Sequence, residues 1–200
     1  MKKFFISILM MVLAVPSFAQ FSSGGFSLND ESLYWGARFG ITGASLSGDL
    51  DMGMKVGMTV GGVVGLRLSE STPVFLESGL YYTERGGKKN GTTIGYNNFE
   101  IPFLIKYGIQ GTDEIAFLPF IGPYFSYAFS GKWKANGESG STFRGDGLNH
   151  MNMGFKFGVG AEYNNLYLEV GYQLGVTNVS RVDNTSAHSN AIFANFGVNF

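Results

Sequence analysis

His150 and His188 are the only imidazoles in the 200 residues, and cysteine is absent. Thiol catalysis and thiolate metal sites are excluded, and two imidazoles alone make a poor metal site. His150 shares a polar segment with Ser141 and Asp146, and His188 lies near Asp183 and Ser186. A hydroxyl nucleophile needs an adjacent base and a carboxylate that orients it. No spaced motif joins these residues, and Ser, Asp and His meet by chance in any polar loop. No glycine pattern joins a strand to a helix, so none cradles phosphate. No catalytic residue, cofactor or metal site is assigned.

What remains is the chemistry of charge. Arg38, Arg67, Glu77, Arg85, Glu100, Lys106, Lys156, Glu162 and Glu169 all sit at one parity of alternating apolar segments, five basic and four acidic. The same parity means the same face of a strand. Buried on that face, the charges must pair, because an unpaired buried charge is expensive.

The elements that must position them are strands. Period-two patterns run over 33–42, 56–68, 74–85, 98–109, 117–129, 151–163, 166–178 and 190–200, with no helical periodicity between them. The last reads N-A-I-F-A-N-F-G-V-N-F, with Ile192, Ala194, Phe196, Val198 and Phe200 on one face. A chain ending inside such a strand leaves an open edge unless the sheet closes on its first strand. Pro119 and Pro123 fall inside the fifth segment, where each removes a ladder donor, so a bulge or a later start is expected there.

Composition narrows the solvent. Hydrophobic residues make up 44% of the chain, aromatics 16% and charged residues only 14%, against about 25% charged in a soluble domain. The net charge of −1 gives no argument for nucleic acid. Lys2 and Lys3, a short apolar run to Val15 and Ser17-Phe18-Ala19 form a secretory signal over 1–19, cleaved between Ala19 and Gln20. A polar lead-in follows over 20–32, and the barrel domain spans 33–200. No later apolar run is long enough for a transmembrane helix.

Eight strands of about ten residues match the length of outer-membrane strands. The intervals alternate: 44–55, 86–97, 130–150 and 179–189 are long, and 69–73, 110–116 and 164–165 are short. That is the rhythm of extracellular loops and periplasmic turns. The non-charged positions of the charged face are mostly Gly, Ser and Thr, which suits the crowded axis of a narrow barrel. Outward aromatics sort to strand ends as two girdles, Trp35, Tyr107, Phe117, Tyr163 and Phe200 below, Tyr82, Phe99, Tyr127 and Phe129 above. The expected fold is all-β: an eight-stranded antiparallel up-and-down transmembrane β-barrel of OmpA/OmpX-like architecture in the cell outer membrane.

Several stretches together resemble the small bacterial outer-membrane β-barrel family of porin-family or PorT-like proteins. They are G-A-R-F-G-I at 36–41, L-E-S-G-L-Y-Y at 76–82, E-I-P-F-L-I-K-Y at 100–107, G-V-G-A-E-Y at 158–163 and Y-Q-L-G-V-T-N at 172–178. The terminal Phe200 looks like the signal read by outer-membrane assembly machinery. The resemblance covers the mature chain and implies the fold. The PorT name adds an accessory role in protein secretion for a minority of members.

The lumen reading is a side-chain plug, and a narrow pore is the alternative. A lipid A-modifying enzyme is the third class. The segment 130–150 places Lys132, Trp133, Lys134, Phe143 and Arg144 among glycines and serines, as a loop surface for lipopolysaccharide, a protein partner or a ligand. The basic stretch 86–91 would lie among anionic headgroups. The expected state is a monomer.

Overall fold

The computed structural model describes residues 33–69, 71–112, 114–145 and 147–200. The signal expected over 1–19, the lead-in over 20–32 and Asp146 lie outside the described residues. Among the described residues ten strands form: β1 (Leu33–Gly48), β2 (Met52–Arg67), β3 (Val74–Lys89), β4 (Thr92–Tyr107), β5 (Ile109–Gln110), β6 (Ile115–Ala135), β7 (Glu138–Ser141), β8 (Met151–Tyr163), β9 (Leu166–Gly175) and β10 (Ala187–Asn199). The two short ones, β5 and β7, both pair with β6. The other eight pair antiparallel in chain order, β4 passes directly to β6, and β10 pairs with β1 from Asn199 opposite Gly36 to Ala187 opposite Gly48. The result is a closed eight-stranded barrel.

Phe200 completes the closure. Its amide donates to the Trp35 carbonyl at 2.7 Å and its carbonyl accepts from the Trp35 amide at 3.1 Å. The two rings stack with centroids 4.5 Å apart. The ladder is sheared. From Leu33 the paired positions run through Leu66, Leu76, Ile105, Ile121, Phe157, Tyr172 and Ile192 and return to β1 at Gly43, ten residues up. Shear of this size sets the tilt of strands that closure requires.

Alternation places the side chains. Phe39, Ile41, Phe103, Ile105, Leu168 and Val170 stand outward and largely exposed, while Arg38, Glu77, Glu100, Lys106, Lys156, Glu162 and Glu169 are buried. An apolar surface this continuous suits lipid, not water. Aromatics occupy both ends of the wall, Phe99 stacking on Phe129 at 4.6 Å above. The sorting is incomplete, because Phe39 with Phe196 and Phe103 with Phe125 form ring pairs at mid-wall.

Three expectations change. The segments 44–55 and 86–97 are mostly strand, since β1 and β2 continue to a turn at 49–51 and β3 and β4 to a turn at Asn90-Gly91. Asn90 and Gly91 both take positive φ, 46° and 79°, as a tight hairpin turn requires. The inner faces of these hairpins pack into the upper lumen through Leu46, Leu50, Met52, Ile94 and Tyr96, while their outer faces carry polar residues such as Ser45, Ser47 and Thr93, so the outward apolar stripe ends before the pairing does. β6 starts earlier than expected and runs unbroken alongside β8 through both prolines, Pro119 opposite Val159 and Pro123 opposite Phe155. The ladder on the other side is interrupted, where Phe103, Leu104 and Tyr107 have no partner in the β4–β6 register. The bulge lies higher, with Asn98 opposite Ala128 and Asn97 opposite Ser130. β9 also stops at Gly175, short of the expected 178, and β10 starts at Ala187.

Candidate functional site

Seven inward charges form one alternating column. Arg38 meets Glu77 at 3.4 Å, Glu77 meets Lys106 at 2.8 Å and Lys106 meets Glu169 at 4.0 Å. Glu169 meets Lys156 at 4.0 Å, Lys156 meets Glu100 at 3.9 Å and Glu100 meets Arg85 at 2.5 Å. All seven side chains are at most 2% exposed. Amides extend it at both ends. Asn199 Oδ1 accepts from Arg38 at 2.6 Å while its Nδ2 donates to Glu162 at 2.9 Å. Gln173 donates to Glu100 at 2.5 Å and accepts from Arg85. With Glu162 included, four cations face four carboxylates, so the buried column is neutral.

Arg67 stands apart. It is half-buried at the lower rim and its Nε donates to the Ser69 carbonyl at 2.9 Å. The expected set of nine thus divides into eight residues in the lumen and one at its mouth.

Each column cation also lies against an aromatic ring. Arg38 and Lys106 sit over Tyr167 at 4.1 and 4.4 Å, Lys156 over Phe193 at 4.2 Å and Arg85 over Tyr124 at 5.2 Å. Ring quadrupoles favour cations out of water. Tyr34 donates its hydroxyl to Glu77 at 2.7 Å, and Tyr167 accepts from Lys106 at 2.7 Å. Alternation in the sequence already puts Tyr81 and Phe193 on the charged face, and both are buried, but it reads that face as mostly small residues and charges and does not single out Tyr34, Tyr124 and Tyr167. Their signal was parity, because Tyr34, Tyr81, Tyr124 and Tyr167 share the parity of the neighbouring charges. Inward glycines make room for them. A Cβ on Gly65 would strike the Tyr34 ring, and one on Gly160 would strike the Tyr167 hydroxyl.

Apolar clusters cap the column at both ends. Below lie Tyr34, Phe75, Ala116, Leu118 and Tyr167. Above lie Leu46, Met52, Tyr96, Ala128, Leu148, Val179 and Ala187, with Leu50, Ile94 and Phe143 packed on them. A void between Thr42, Thr59, Glu100, Lys156 and Asn195 measures about 10 Å³, room for roughly one water.

The loop surface expected from Lys132, Trp133, Lys134, Phe143 and Arg144 is not one surface. β6 continues through 132–135, so alternation splits it. Lys132 and Lys134 face outward on the wall, opposite Gly95 and Thr93 of β4. Trp133, opposite Ile94, turns inward and lines the mouth with Arg144, Leu148 and Val182 around a space of about 270 Å³. Phe143 is packing, stacked on His150 at 4.3 Å and edge-on to Tyr96 at 6.3 Å.

Of the residues considered for catalysis, His150, Ser141 and Ser186 have other occupations, while the His188 Nδ1 is buried with no hydrogen-bond partner among the described residues. The His150 ring is sandwiched between Phe143 and Tyr127, with Nδ1 2.6 Å from the Ala128 carbonyl. Ser141 Oγ accepts from the Phe143 amide at 3.4 Å. Ser186 donates its amide and hydroxyl to Asp49 at 2.7 and 3.1 Å. Those two bonds hold the Asp49 carboxyl below the usual carboxylate range. Among the described residues no cluster of three metal-ligating side chains occurs.

A family described as an outer membrane protein β-barrel domain matches residues 18–181. Among solved structures the barrel is similar to Neisserial surface protein A, with a TM-score of 0.51 and 17% identity over 85% of this chain and 98% of that one. It is also similar to a major outer membrane protein of Thermus thermophilus, with a TM-score of 0.54 and 12% identity over 85% of this chain and 100% of that one. Both likenesses are of fold. The chain finds no match among curated proteins.

Proposed function

Since the chain belongs to the outer membrane protein β-barrel domain family, we propose that it is a structural, surface-presenting barrel whose lumen is a sealed strut and not a conduit. The observation that carries this reading is the neutral column of buried charges closed off by apolar clusters at both ends. An ion crossing it would have to displace paired charges and then traverse two apolar caps, each step costly in a medium without water. The column holds opposite walls of the barrel together, and the hairpins above carry the contact surface for lipopolysaccharide or a protein. No reacting group is assigned.

The same reading takes residues 1–19 as the export signal, so sequencing of the mature protein should begin at Gln20. Phe200, at the end of the closing strand, is the contact for the assembly machinery, and its deletion should leave unassembled chain. The barrel acts as a monomer, with a single-barrel mass in mild detergent.

Conductance of the refolded protein in a planar bilayer tests the strut. Silence from wild type and from the Glu100→Gln variant, both shown to be folded, is expected. Steady current steps that change size in the variant would make the lumen a narrow pore.

A further inference from the structure

Above the upper aromatic pair, the outer wall carries a basic groove that the strut does not use. It is lined by Lys55, Thr93, Gly95, Asn97, Ser130, Gly131, Lys132 and Lys134 and encloses about 430 Å³. Two strands supply its cations. Lys55 comes from β2 and reaches across β3, so that its Cε would lie 3.1 Å from a Cβ on Gly95 and its Nζ 3.6 Å. Lys132 and Lys134 come from β6, opposite Gly95 and Thr93. The β6 bulge sets their direction, because the extra residue at Phe129 shifts the alternation and turns both lysines to the outside. Gly95 leaves the floor open for the Lys55 stem.

The lining contains three cations, neutral Thr, Asn and Ser side chains, and no carboxylate. Its height follows from the strands. Asn97 and Thr93 lie two and six residues above Phe99 on β4, or about 7 and 20 Å along a strand at 3.3 Å per residue. With strand tilt this places the groove in the headgroup layer, just outside the hydrocarbon. Three ammonium groups beside hydroxyl and amide donors match a phosphate carried on a sugar better than they match a peptide or an acyl chain.

We propose that Lys55, Lys132 and Lys134 bind the phosphorylated sugar headgroup of an outer-leaflet glycolipid, laterally, on the wall of the barrel. The inference rests on the membrane-embedded reading above and deepens it, fixing one partner to one face. The lysines act as point charges, each contributing roughly a fivefold gain in affinity near a membrane surface.

The test uses the full barrel inserted in phosphatidylcholine vesicles, with diphosphoryl lipid A and phosphate-free lipid A as probes. Binding is read by native mass spectrometry of protein released from the vesicles. The expected result is retention of diphosphoryl lipid A by wild type, a loss of about 100-fold in the Lys55→Gln, Lys132→Gln, Lys134→Gln triple variant, and little change in Lys89→Gln at the hairpin tip. Equal retention of the phosphate-free lipid, or a triple variant that binds like wild type, would overturn the groove while leaving the inserted barrel intact. Failure of wild type to insert in the vesicles at all would overturn both the groove and the embedded reading.

Discussion

Lys106 and Lys89 belong to the same sheet and could hardly be placed more differently. Lys106 lies in the lumen, 1% exposed, between two carboxylates and two rings. Lys89 sits at the tip of the β3–β4 hairpin, 44% exposed, 3.0 Å from an Asp51 that is 81% exposed. The comparison separates two uses of charge. Inside, the surroundings cannot solvate an ion, so position and partner are fixed together and removal of one member strands the other. At the rim water screens every pair, and the charges are free to meet something from outside.

Four substitutions or conditions sharpen or break that contrast. The largest effect should come from Glu77→Leu, which leaves Arg38 and Lys106 without their shared carboxylate. Urea unfolding of the refolded barrel should show a loss of about 3–5 kcal/mol. A loss under about 1 kcal/mol would mean the lumen is as wet as the rim. Next is Gly65→Ala, which sets a methyl against the Tyr34 ring. Overpacking should lower stability by about 1–3 kcal/mol in the same assay. Lys89→Ala should change stability by less than about 1 kcal/mol, the usual worth of a surface pair.

The smallest effect is acid titration of the rim. Asp49 has its carboxyl lowered by the Ser186 bonds, so its contribution is present above the ordinary aspartate value of about 3.9 and lost as pH falls through the lower folded value. The Ser186 amide resonance should therefore shift with a midpoint below about 3.9. A midpoint at or above the ordinary value would remove the Asp49–Ser186 tie from the account.

The contrast also explains what the sequence could and could not tell. Parity of Arg38, Glu77, Glu100, Lys106, Lys156, Glu162 and Glu169 was readable, because within the membrane one face must be apolar and charge is driven to the other. The order of the column was not, since pairing Lys106 with Glu169 across the lumen depends on a shear that emerges only when the barrel closes. Parity separates Tyr81, which is buried, from its neighbour Tyr82, which turns outward, but Tyr34, Tyr124 and Tyr167 escaped because aromatics occupy both faces. Facing glycines such as Gly61 against Tyr81 are the trace they leave. At the rim the reading failed by continuing a loop where a strand continues. Lys132, Trp133 and Lys134 alternate like any strand, but Trp133 takes the inner side, lining the mouth, and lysines take the outer side, so no outward apolar stripe announces it.

The most direct measurement takes advantage of a chain without cysteine. Thr59→Cys puts a single thiol in the lumen, where Thr59 is 5% exposed, and Ser139→Cys puts one on exposed β7. Both variants, folded in vesicles, would be treated with a membrane-impermeant maleimide. If the lumen is a sealed strut, the Ser139→Cys protein labels promptly and the Thr59→Cys protein labels only after unfolding. Prompt labelling of both in the folded state would contradict the account.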